Sequence, residues 1–173
     1  MRLKIFYLVL LCLILFVGTK SIEEKKVEFA SSKGKQHTTM NDITRISLAL
    51  VDYIYDNNTA PKQSGTYNEN SELYKVLVPF YIRNLPLKDS WGNNFRIYCG
   101  EDCNGIYDGI TGCSSEDFVI VSYGRDGKKE NWEFDHKNLA GGLYVVEALG
   151  DFDNDLIMWD RIWIRVSKFK RKE

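Results

Sequence analysis

Apolar residues recur at three- and four-residue steps through Ile43, Ile46, Leu50, Tyr53 and Ile54, the spacing that lines one face of an α-helix. Thr39 or Asn41 can cap the start of this helix, and Asn57, Asn58 and then Pro61 discourage it from continuing. After a polar loop over 62–71, a shorter helix is predicted over 72–81, with Leu73, Val76, Leu77 and Phe80 inward and Pro79 cutting it short. The period then changes. Residues 95–99 and 117–123 are β-branched or aromatic runs bounded by glycine-rich loops, which predicts antiparallel neighbours. Residues 143–149 and 156–166 offer further strands, and in the second Ile162, Ile164 and Val166 alternate with Trp163 and Arg165. These elements predict an α+β domain: one long helix packed on a small antiparallel sheet, with long loops.

The ends of the chain are patterned differently. Arg2 and Lys4 precede an uncharged, mainly apolar run over 5–18, which has the build of a signal peptide. The run is shorter than the ~20 residues that normally span a bilayer. Two readings stay open for 1–20, a cleaved leader and an N-terminal membrane anchor; both make the remainder an exported protein of the periplasm, cell envelope or medium. Residues 21–37 are rich in Lys, Glu, Ser and Gly and read as a solvated spacer. The globular domain is expected over 38–166, and 167–173 is a basic tail.

Composition narrows the class. A hydrophobic share of 44% in 173 residues supports one packed core. The formal charge of -1 gives no reason to invoke nucleic acid. Cys12 lies in the leader; Cys99, Cys103 and Cys113 suggest one disulfide and one spare thiol in an oxidising compartment. If 95–99 pairs with 117–121 so that Cys99 faces Asp117, the same register sets Cys103 opposite Cys113, the preferred disulfide.

Chemistry-bearing motifs are few. The histidines are His37, in the spacer, and His136, beside Glu133 and Asp135. No Gly-x-Ser-x-Gly elbow, phosphate-binding Gly-Lys-Ser/Thr loop or dinucleotide fingerprint occurs. The expectation is a protein that is not an enzyme.

Two loops carry acids. Ser122-Tyr123-Gly124-Arg125-Asp126-Gly127 has glycines that free its backbone to turn carbonyls toward one point, and Asp151-Phe152-Asp153-Asn154-Asp155 carries alternate acids. Hard cations such as calcium take six to eight oxygens from such groups. The second loop is no isolated EF-hand: Leu156 stands where glycine belongs and Ile162 where the bidentate glutamate belongs.

The rigid corner Leu85-Pro86-Leu87-Lys88-Asp89-Ser90-Trp91-Gly92-Asn93-Asn94-Phe95, the helix segment with Ala49, Leu50, Tyr53 and Asp56-Asn57, and both acidic loops follow one another in a familiar order. Together they resemble the soluble C-terminal domain of the major pseudopilin of bacterial type II secretion systems, the G-type subunit. The resemblance covers roughly residues 40–160, with an insertion over about 128–150. It implies a pseudopilin-like head that holds Ca2+ between the two loops, with Tyr123 as a carbonyl donor and Asp126, Asp153 and Asp155 as acidic ligands. The insertion would have to loop out between the two halves of that site.

It also implies a structural role in a short periplasmic fibre of the secretion apparatus, with self-association and other envelope proteins as partners. Membrane contact would run only through the N-terminal segment. In that family a short basic leader ending in glycine precedes the apolar helix, whereas here the apolar run comes first. The competing expectation is therefore an envelope or secreted binding module that reuses the head without fibre assembly.

Overall fold

The structure, a computed structural model, describes residues 2–169, with side chains described from Glu23 onward. One helix, α1 (Arg2–Asn57), leads into β1 (Ser64–Thr66), α2 (Glu72–Leu77), β2 (Arg96–Cys99), β3 (Phe118–Ser122), β4 (Leu143–Val145), β5 (Leu156–Trp159) and β6 (Ile162–Lys168). The strands form one sheet in the order β1-β2-β3-β5-β6-β4. Every pairing is antiparallel except β4 with β6. The fold is α+β, as expected.

β3 is buried along its whole length because both faces of the sheet are covered. Phe118 and Ile120 join Ile43, Ile46 and Leu50 of α1 with Phe95, Ile97, Leu156 and Met158 in one core. Val119 and Val121 face the other way, into a second core with Tyr107, Ile110, Phe134, Ile157 and Ile164. That two-sided burial explains a run with no polar alternation.

Helix α1 departs from expectation at its N-terminal side. Residues 23–37, read as a solvated spacer, are helical, and neither Thr39 nor Asn41 starts the helix. The buried face continues upstream of Ile43 through Thr39, Gln36 and Ser32, all at most 5% exposed. Each step is three or four residues, so the stripe is helical in period, but it is polar. Gln36 donates to the Tyr144 hydroxyl at 2.9 Å, Thr39 Oγ1 accepts from the Ser90 amide at 3.1 Å, and Phe29 meets Phe152 edge-on at 5.3 Å.

Smaller differences have local causes. α2 stops at Leu77, so Phe80, expected inward, is 81% exposed. The polar loop contains β1, which pairs with β2. The stretch 156–166 is a hairpin, turned at Asp160 (φ 43°) and Arg161 (φ 67°), the backbone that two-residue hairpin turns require. Beyond the turn Ile162 is exposed while Arg165 is buried.

The run 5–18, Cys12 and residues 170–173 lie outside the residues whose side chains are described. Among the described residues no helix is long and apolar enough to cross a membrane.

Candidate functional site

The Asp89 corner is the platform for the first acidic loop. Asp89 Oδ1 accepts the amides of Trp91 at 3.0 Å and Asn93 at 2.9 Å, and Gly92 takes the left-handed φ of 95° that closes the turn. Its other oxygen accepts from the Ser122 hydroxyl at 2.8 Å, and Ser122 Oγ accepts from the Gly124 amide at 3.3 Å. Asn93 adds a bond from its side-chain amide to the Gly124 carbonyl at 2.7 Å. Asp89 is almost fully buried, and burial pushes its carboxyl up while these hydrogen bonds pull it back.

The two acidic loops meet. Gly124 has φ 61°, and a Cβ there would fall 2.7 Å from the carbonyl oxygens of Phe152 and Asn154 and 2.9 Å from that of Asp153. The Arg125 amide donates to the Phe152 carbonyl at 2.8 Å. Only glycine permits this approach, because any side chain would collide with three backbone oxygens. Residues about 30 positions apart in sequence are thus in direct backbone contact.

Their carboxylates nevertheless diverge. Asp153 is held in a two-point pair by Arg125, Nε to Oδ1 at 2.8 Å and Nη2 to Oδ2 at 3.2 Å. The same guanidinium reaches Glu28 of α1 at 3.6 Å, fastening the helix to the loop. Asp126 is exposed and accepts the Lys128 amide at 2.9 Å. The Tyr123 ring lies under the Arg96 guanidinium, 3.9 Å from it.

Asp155 turns inward and is fully buried. Its Oδ2 accepts from the Tyr107 hydroxyl and from the Glu130 amide at 2.9 Å. Its Oδ1 has no hydrogen-bond partner. Burial pushes the carboxyl up to about 6; the bonds from Tyr107 and Glu130 oppose the shift, and the charges of Glu130 and Asp126 add to it. Glu130 is itself occupied, paired to Arg165 through both carboxylate oxygens, with Nε to Oε2 at 3.1 Å. Arg165 also lies over the rings of Tyr144 at 4.6 Å and Trp132 at 5.7 Å.

Of the acids singled out by sequence, Asp126 and Asp155 are near enough to repel, while Asp153 is committed to Arg125. Among the described residues no three His, Cys, Asp or Glu side chains gather as a metal-holding group. The insertion does not loop out. It supplies Glu130, buries Phe134, and carries β4 to the sheet edge. Glu130, Tyr107, Arg125 and Arg165 escaped sequence reasoning. A faint signal existed in Arg165, a charge inside an alternating strand whose opposite number had to lie elsewhere.

A second acidic pair sits by the β5–β6 turn. Asp160 Oδ1 accepts the Phe118 amide at 2.9 Å, and Asp160 and Asp117 hydrogen-bond to each other. Burial and the Asp117 contact push Asp160 up to about 7, and Asp117 falls below its usual range.

In this structure Cys99, Cys103 and Cys113 are free, buried thiols. The assumed register is also one residue off, since Cys99 faces Phe118. β2 ends at Cys99, and Gly100–Cys103 is a single 3-10 turn, so no ladder extends to Cys113.

Comparison with protein-family models, with curated proteins and with solved structures found no match.

Proposed function

We propose that this chain is an exported, structural protein of the cell envelope, built as a pseudopilin-like head on a long helix and stabilised by calcium at the junction of its two acidic loops. The supporting observation is that junction. Phe152, Asp153 and Asn154 turn their carbonyls onto Gly124, while Asp155 beside them keeps an unpartnered, fully buried carboxylate oxygen. A hard cation is held by such a set of carbonyl and carboxylate oxygens. Asp155 and Asp126 are its acidic ligands in this reading; Asp153 serves instead as the partner of Arg125. The ion's chemistry is electrostatic, replacing the repulsion between Asp126 and Asp155 with a shared attraction.

The role is assembly. A long helix packed along one face on a small domain suits a subunit that stacks through its stem. Two measurements test the proposal. Calcium should raise the melting temperature of the full chain over that in chelator; an unchanged melting curve overturns the cation. Mass spectrometry of the mature N-terminus reports the assembly route: a methylated residue after prepilin-type cleavage is expected, and conventional signal cleavage overturns fibre assembly.

A further inference from the structure

We infer that Cys103 and Cys113 form an intramolecular disulfide when the protein meets a disulfide-bearing oxidant, leaving Cys99 as the spare thiol. The sheet sorts the three thiols. Cys99 packs in the core against α1, whereas Cys103 and Cys113 share the core on the opposite face with Tyr107 and Ile110. The segment between the pair closes on itself: the Gly105 amide donates to the Ile110 carbonyl at 2.8 Å, and the Cys113 amide donates to Asn104 Oδ1 at 3.0 Å. This sets the two side chains beside one another in that core, with Cys103 Sγ donating to the Tyr98 carbonyl at 3.1 Å. The bridge thus joins neighbours in one core in place of the Cys103–Tyr98 bond, and needs no ladder between β2 and β3.

Cys113 is the entry point, being 8% exposed where Cys103 is fully buried. Its thiolate attacks one sulfur of the oxidant's disulfide, breaking that bond and releasing one thiolate, which takes up a proton. Cys103 then loses its proton to solvent and attacks Cys113 Sγ, expelling the second thiol. Two protein thiols are oxidised by two electrons, and the external disulfide is reduced to two thiols. Burial raises the pKa of both thiols, so the exchange is slow in the folded protein at neutral pH and accelerates as pH rises. The inference does not rest on the envelope reading, which decides only where an oxidant is met.

The test uses the full chain carrying Cys12→Ser, prepared reduced and exposed to glutathione disulfide at mildly alkaline pH. All three remaining cysteines lie in one tryptic peptide, but cleavage after acids separates them at Asp102 and Asp108. The expected result is a Cys103–Cys113 cross-linked peptide pair with Cys99 outside it, and the same pair when Cys99→Ser is added. The closed loop should raise the folded-to-unfolded ratio by on the order of a hundredfold, read from urea midpoints with and without reductant. A bridge containing Cys99, a stable glutathione adduct on Cys113 with Cys103 still reduced, or thiols that react only once the chain is unfolded in urea would each overturn the inference.

Discussion

Asp155→Asn should stabilise the protein in chelator and abolish its response to calcium. At pH 7 the buried carboxylate is ionised, with one oxygen unpartnered. Its rise from 3.8 to about 6, led by burial, corresponds to a net cost of about 3 kcal/mol for holding the charged form. The asparagine removes the charge but weakens the bond from Tyr107, which loses about 1 kcal/mol. The net gain is about 2 kcal/mol, or roughly 4–8 °C in melting temperature for a chain of this size. In wild type, calcium at about a hundredfold over its dissociation constant should add about 2.7 kcal/mol. The ranking of the two proteins therefore inverts between chelator and calcium.

Thermal melts at pH 7 in both conditions measure this, and a pH series adds a sign. The folded state holds the Asp155 proton more tightly than the unfolded state. The contribution of Asp155 to wild-type stability in chelator is thus greatest below pH 4, falls as pH rises through about 4 to 6, and changes no further above that window. The variant should lack that component. An Asp155→Asn protein that melts lower in chelator, or that keeps the full calcium shift, would refute the reasoning.

Three other outcomes are expected. Gly124→Ala forces a Cβ against three carbonyls at a left-handed φ; it should cost about 3 kcal/mol or more by urea denaturation and remove the calcium response with it. Arg165→Met strands the half-buried Glu130 carboxylate beside Asp155 and should cost about 3 kcal/mol, with much of the loss recovered when Glu130→Gln is added. Asp160 holds its proton more tightly when folded, so it makes stability decline between about pH 4 and pH 7; Asp160→Asn should flatten that decline in a pH series of urea midpoints.

Much of the scaffold was legible because its signals are local. The stripe of Ile43, Ile46 and Leu50 and the runs of β2 and β3 state their period within a few residues; the helix stripe, Ile97 and Cys99 of β2 and the whole of β3 are buried. Gly124 and its neighbours advertised a tight bend, and the bend is there. Where apolar periodicity is silent, the reading failed. Ser32, Gln36 and Thr39 continue the same buried face, but as polar residues the first two gave the look of a solvated spacer and Thr39 that of a helix cap.

The amino-acid order alone determined the class of fold, the apolar face of the long helix, the antiparallel pair β2–β3 and the two acid-bearing bends. Only the tertiary structure decided which acids those bends could offer. Arg125 takes Asp153, Glu130 and Tyr107 enclose Asp155, and Arg165 reaches Glu130 from 35 positions away. The reason is physical: burying an apolar group needs only a shared face, which periodicity displays, whereas burying a polar or charged group needs a particular partner. That partner can lie anywhere along the chain, as Tyr144 lies 108 residues from Gln36.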